Sequence, residues 1–265
     1  MTSPLQAHAL AFVCPRCRAK LREGAEPTCS QCGTAFPVQD GVVDFVPELN
    51  ASTNVSQAIL ENPMFVALYE PLIRVNFVRL MARNFNGALT PELEDAYLQK
   101  HLRPVDGPVL DLACGAGRWT RTLAELVGLE RLIALDLSRA MLDAAKEALP
   151  HAFFVRGNAQ QLPLADASLG AVSCWNSLQL LPDPPQALRE VARCLRPGGV
   201  FTCFTYRRTR EPLYGYFQST FARNGGVRPF DEEELRQWLT QAGLVVDDLG
   251  GPNLALLFTA RKPAA

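Results

Sequence analysis

The sequence predicts an α/β protein: a parallel sheet covered by helices on both faces, with a small cysteine-bearing module ahead of it. Three observations carry that reading. From Pro108 onward, short apolar runs alternate with amphipathic segments, the pattern of strands joined by crossover helices. The first run enters a glycine-rich turn, Ala113-Cys114-Gly115-Ala116-Gly117, that opens a helix at Arg118. Ahead of both, Cys14, Cys17, Cys29 and Cys32 form two Cys-x2-Cys knuckles separated by eleven residues. The 265 residues make one large domain or a large one with a small companion, at about 150 residues per domain. With 48% hydrophobic and 20% charged residues, the composition is that of a globular protein and excludes disorder, collagen and coiled coil. A net charge of -1 withholds the electrostatic footprint of a dedicated nucleic-acid binder. No apolar run approaches the roughly 18 residues of a membrane span. Met1 to Val13 lacks the basic start and long apolar core of a signal peptide, so a cytoplasmic location is expected.

Residues 10–47 read as a zinc ribbon. Two knuckles aim four thiolates at one tetrahedral centre, and a site with all four positions filled leaves no place for water or substrate, so the expected Zn2+ is structural. Gly24 and Pro27 permit the reversal between knuckles. Ala35 to Val38 and Val42 to Phe45 flank Asp40-Gly41, a hairpin signal. The module is expected to have a core of its own, separate from the cofactor half. Residues 48–103 read as a linker and N-terminal helices. Asn50, Ser52, Thr53, Asn54 and Ser56 have little to bury, whereas Phe65, Leu68, Tyr69, Leu72, Ile73, Phe77, Leu80 and Met81 recur at helical intervals, followed by Leu93, Tyr97 and Leu98 after Thr90-Pro91.

Candidate strands of the main sheet are Val109 to Leu112, Leu132 to Asp136, Ala152 to Val155, Ala171 to Trp175 and Val200 to Thr205. The turn after the first strand lacks the third glycine of a dinucleotide site; Thr120 stands there. Asp111 would repel a pyrophosphate but attract the ammonium of an amino-acid moiety. Asp136 ends the second strand, where a carboxylate binds ribose hydroxyls. Nucleoside plus amino acid describes S-adenosylmethionine.

Val109 to Gly117, Ala134-Leu-Asp-Leu-Ser138 with Met141-Leu142, Gly157-Asn-Ala159 with Leu162-Pro163, and Leu195-Arg-Pro-Gly-Gly199 together resemble the class I S-adenosylmethionine-dependent methyltransferases of the type 11 group. The resemblance covers roughly residues 104 to 260, placing the methyltransferase domain at residues 104–265, and implies a Rossmann-like seven-stranded sheet whose last strand, about Leu254 to Ala260, is antiparallel. It implies that Leu137 and Met141 flank the adenine and that Asn158 and the Ala159 amide bond its edge. Asp111, Ala113, Gly115, Gly117 and Asp136, with Trp175 at the end of the fourth strand, complete the candidate cofactor-binding set. The four-Cys ribbon followed by Asn62-Pro63-Met64 through Tyr69-Glu70 is similar to a group of cyanobacterial, plastid and bacterial methyltransferases. It resembles more loosely the ribosomal RNA guanine-N1 methyltransferases with an N-terminal zinc module, which carry a His among their metal ligands where this chain has none.

No catalytic residue is assigned from the sequence. Gln179 occupies the segment where related sequences carry a His base. Cys114, Cys174, Cys194 and Cys203 read as small core residues. His8, in a tail, His101 and His151 read as surface residues. Asp183-Pro184-Pro185 reads as the start of a helix. Tyr69 and Glu70 are candidates for shaping the transfer site. Arg207, Arg208, Arg210, Arg223 and Arg228 follow the fifth strand with Glu211 as the lone acid in that stretch. They suggest a site for an acidic acceptor, with Arg207 and Arg208 holding the anion. The expected partner is therefore a small-molecule acceptor. RNA held by the zinc module and a non-catalytic ribbon-docking protein are the alternatives, and no membrane association is expected.

Overall fold

The computed structural model describes Leu5, His8, residues 11–48 and residues 61–264. The polar stretch Asn50 to Ser56 lies outside the described residues. In the ribbon, β1 (Leu21–Arg22) and β2 (Thr28–Cys29) pair antiparallel. β3 (Val38–Gln39) and β4 (Val42–Asp44) form the hairpin that Asp40-Gly41 announced. Both turn residues have positive φ, 51° and 78°, which Asp tolerates and Gly adopts freely.

The main sheet is built from β5 (Val109–Leu112), β6 (Leu132–Asp136), β7 (Phe153–Arg156), β8 (Leu169–Trp175), β9 (Leu195–Tyr206), β10 (Val245–Gly250) and β11 (Ala255–Arg261). The order is β10-β11-β9-β8-β5-β6-β7, with β11 antiparallel to both neighbours. Every residue of β5, β6 and β8 is buried, as strands covered on both faces require. The predicted seven strands are thus present, and the sheet has two more. β4 pairs in parallel with β7, Val43 opposite Val155 and Asp44 opposite Arg156, so the hairpin extends the sheet to nine strands.

That pairing corrects the expectation of separate cores. Phe12, Phe36, Val43 and Phe45 pack in one cluster with Leu135, Val155, Leu162 and Leu164. Phe12 stacks on Phe45 at 5.4 Å, and the Val13 N–H donates to Pro163 O at 3.0 Å. The physical reason is size: a segment this short has too little volume to enclose its own phenylalanines, and an open edge strand offers both apolar surface and unpaired backbone.

Between the ribbon and the sheet run α1 (Pro63–Leu68), a π-helical turn (Tyr69–Arg74) and α2 (Val75–Met81), followed by α3 (Pro91–His101). The wide turn has a local cause. Pro71 lacks an N–H and its ring collides with the carbonyl four residues back, so the helix loosens there. The sheet is covered by α4 (Arg118–Val127), α5 (Arg139–Ala148), α6 (Pro184–Cys194), α7 (Pro212–Gly225) and α8 (Glu232–Gln241). Ser138, Asp183 and Asp231 cap the N-termini of α5, α6 and α8, and Asp183-Pro184-Pro185 is therefore the helix start that the sequence suggested.

Candidate cofactor site and metal centre

The carboxyl ends of β5, β6 and β8 meet where the strand order reverses, the place at which open α/β sheets bind ligands. The turn after β5 is tight, with Ala113, Gly115 and Gly117 all at positive φ. A Cβ at Gly117 would lie 3.2 Å from that of Ala145, so the glycine lets α5 approach. At Gly115 a Cβ would meet nothing within 4 Å, and the turn faces open space there. Asp136 closes the turn from the other side. Its Oδ2 accepts from the Gly115 N–H at 2.9 Å and its Oδ1 from the Ser138 N–H at 2.8 Å. Burial raises its carboxyl above the usual carboxylate range.

The other predicted cofactor residues are distributed around this point. Leu137 is half-buried and its carbonyl accepts from Arg156 Nε at 3.0 Å. Met141 is buried in the first turn of α5. Asn158 is half-buried beside the buried Ala159, and its Oδ1 accepts from the Gln160 N–H at 2.9 Å. Asp111 lies deeper, 2% exposed, with its Oδ2 accepting from the Thr120 hydroxyl at 2.6 Å. Burial pushes it up to about 7. Trp175 is not at the mouth of the cleft. Its indole packs into the second core cluster, stacked on Trp119 at 5.6 Å.

Several residues that sequence reasoning passed over converge here. Asn176, directly after β8, is 2% exposed at φ 55°. Its Oδ1 accepts from the Tyr206 hydroxyl and from Gln179 Nε2, and its buried Nδ2 lacks a well-aligned acceptor next to the Tyr69 phenol. An Asn closing a buried strand, a residue type that tolerates the left-handed region, was the available signal. Burial first, then the Glu70 carboxylate, raises the Tyr69 phenol above its ordinary value. Arg74, 6% exposed on the π-helical turn, pairs with Glu70 at 3.0 Å and Glu94 at 3.6 Å and lies over the Trp119 ring at 5.1 Å. Burial raises Glu94 to about 7 against the pull of Arg74. Glu61 accepts from the Arg139 and Ala140 N–H groups at the start of α5.

Gln179 has a structural post: fully buried, it accepts from the Thr205 hydroxyl at 2.9 Å while donating to Asn176. The four lone cysteines are buried, and burial raises the Cys114 thiol well above its ordinary value. His8 corrects the surface reading. It is 6% exposed, its ring 5.3 Å from that of Phe153, a residue of β7. Arg207 is also corrected as an anion ligand, since it is paired with Glu232 and donates to Asn253 O at 2.8 Å.

In the ribbon, the four Sγ atoms lie within 4.8 Å of one another, Cys14 3.7 Å from Cys32 and Cys17 3.4 Å from Cys29. Each knuckle closes alike, Arg18 N–H donating to Cys14 O at 2.8 Å and Gly33 N–H to Cys29 O at 3.2 Å. The Gln31 and Cys32 N–H groups point at Cys29 Sγ at 3.4 Å, which favours a thiolate. This all-sulfur set suits Zn2+. Arg18 ties the knuckle to the main domain through Glu190 at 2.9 Å and Leu162 O at 3.1 Å.

Comparison with known proteins agrees with this architecture. Residues 110–203 match the model of the methyltransferase domain family. A chloroplastic methyltransferase of Arabidopsis thaliana is 27% identical over 95% of this chain and 78% of its own length. The demethylmenaquinone methyltransferase of Lactococcus lactis is 37% identical over 46% of this chain and 50% of its own. The structure of geranyl diphosphate C-methyltransferase from Streptomyces coelicolor, complexed with S-adenosyl-L-homocysteine, superposes with a TM-score of 0.56 at 16% identity, covering 64% of this chain and 76% of that one. Residues 110–203 are thus matched as a methyltransferase domain, and the four motifs and the strand order are those of the Rossmann-like class I S-adenosylmethionine-dependent methyltransferase fold.

Proposed function

We propose that the protein methylates a small molecule at the carboxyl edge of β5, β6 and β8, with a structural zinc held by Cys14, Cys17, Cys29 and Cys32. The observation that carries the cofactor assignment is Asp136, held across the glycine turn by the Gly115 N–H and leaving open space in front of that turn. The cofactor supplies a methyl group already activated by its own sulfonium charge. Asp136 accepts hydrogen bonds from the ribose hydroxyls, and Asp111 provides negative charge behind the turn. Leu137 and Met141 make the apolar wall for the adenine. Asn176 and Tyr69 present polar atoms on the acceptor side, and the π-helical turn carrying Tyr69 and Arg74 excludes water.

The chain's share of catalysis is then positioning and desolvation. With Gln179 committed to Thr205 and Asn176, no side chain at that position removes a proton. The acceptor is accordingly nucleophilic by itself, an ionised acid or phenol or an electron-rich carbon. The relatives named for demethylmenaquinone support a small acceptor for the half of their length that this chain spans. Incubation with methyl-labelled cofactor and a fractionated extract tests the reading. Label is expected in the small-molecule fraction; label in ribosomal RNA, with activity falling steeply as salt rises, would replace this acceptor class by the RNA reading.

A further inference from the structure

Beyond β9 the chain leaves the sheet at Tyr206, runs through α7 and returns at Phe230, where the Arg208 N–H donates to Phe230 O at 2.7 Å. A groove of about 740 Å³ lies along this excursion. That volume is in the range of small-molecule sites, roughly 300 to 1,000 Å³. Arg208, Arg223 and Arg228 line it. Among the described residues one carboxylate pairs with them, Glu234, 2.8 Å from Arg228 and 3.9 Å from Arg208. Three guanidinium groups against one carboxylate leave the groove positive in a chain whose net charge is -1.

The floor is rigid. Gln218, 1% exposed, accepts from the Thr209 N–H at 2.9 Å and donates to Arg207 O at 3.0 Å. The α7 wall is of the opposite character. Tyr216, 68% exposed, lines the groove, and Leu213, 81% exposed, precedes it by three residues on the same helix face. The groove adjoins the acceptor side of the cofactor cleft, because the Arg228 N–H donates at 2.8 Å to the carbonyl of Gln179, whose side chain holds Asn176.

We propose that this groove binds the oxyanion head group, phosphate or carboxylate, of an amphipathic methyl acceptor whose apolar body lies along Tyr216 and Leu213. Guanidinium forks suit either oxyanion, and exposed apolar side chains beside them suit a hydrocarbon or aromatic portion. The acceptor role rests on the methyltransferase reading above; the head-group site does not.

Titration calorimetry on the full chain tests it, with octyl phosphate, octanoate, octanol and inorganic phosphate as probes and S-adenosylhomocysteine as a parallel ligand. One of the two charged octyl probes is expected to bind at least about tenfold more tightly than octanol, the lower bound for a charged hydrogen bond. Its head group then identifies the oxyanion. Arg208→Ala and Arg223→Glu should each lose about tenfold or more in that affinity, and Tyr216→Ser should bring the octyl probe down toward inorganic phosphate. S-adenosylhomocysteine binding should be unchanged in all three variants, which also shows that they fold. Equal binding of octanol, unchanged affinity in both arginine variants, or binding confined to anionic lipid vesicles would overturn the proposal. Failure of S-adenosylhomocysteine alone, with arginine-dependent binding of the charged probe intact, would overturn the cofactor reading and leave the head-group site standing.

Discussion

Asp111 and Asp136 lie near the carboxyl ends of neighbouring strands, yet their surroundings separate them. Asp136 is held by two backbone N–H groups, whereas Asp111 has the Thr120 hydroxyl and is 2% exposed. Burial first raises Asp111 from 3.8 to about 7, with the Thr120 hydrogen bond opposing and Asp136 adding. A carboxyl raised on folding binds its proton more tightly in the native state, so its contribution to stability is complete below pH 3.8 and lost as pH rises through 7. Asp111→Asn removes that loss: the variant should melt higher than the wild type at pH 8, with the difference vanishing near pH 4. The same change should weaken cofactor binding at pH 8, because a charge facing the ammonium is gone. Equal melting temperatures at pH 8 would show that Asp111 bears no such burden. Both carboxylates were legible in the sequence, since strand ends and glycine turns mark such sites locally. Arg74 and His8 were not, because their burial depends on elements distant in the chain, and Asn176 offered only its residue type after a buried strand.

At the scale of elements, the hairpin and the main strands followed from local signals: Asp40-Gly41 for the turn, fully apolar runs for the buried strands. What no local signal contains is which edge receives the hairpin. β4 meets β7 far along the chain, and Phe45 sits at that seam, stacked on Phe12 and 5.0 Å from Phe36. Phe45→Ala should cost about 3 to 5 kcal/mol. Because the cluster is shared, urea unfolding followed by circular dichroism should shift as one transition for the whole chain. A small early transition followed by an unchanged main one would mean that the ribbon unfolds on its own.

At the scale of the whole molecule, the same hairpin links the four-cysteine cluster to the candidate cofactor cleft. Asp44 pairs with Arg156 at 2.9 Å, Arg156 donates to the Leu137 carbonyl, and Asp40 pairs with Arg139 at the start of α5. Leu137 to Met141 is the segment proposed above to face the adenine. Chelating the metal, or Cys29→Ser, is therefore expected to lower the melting temperature of the entire chain and to weaken cofactor binding several-fold. Scanning calorimetry and cofactor titration on the chelated protein check both effects, and unchanged affinity would show that the hairpin carries no load for the cleft. The central claim, a cofactor site organised by Asp136, is tested most directly by titrating S-adenosylmethionine into the wild type and into Asp136→Ala. One cofactor per chain is expected in the wild type, with binding weaker by about 1.5 to 3 kcal/mol in the variant, the range for hydrogen bonds to a charged group. Absence of binding to the wild type, or equal affinity in a folded variant, would contradict the account.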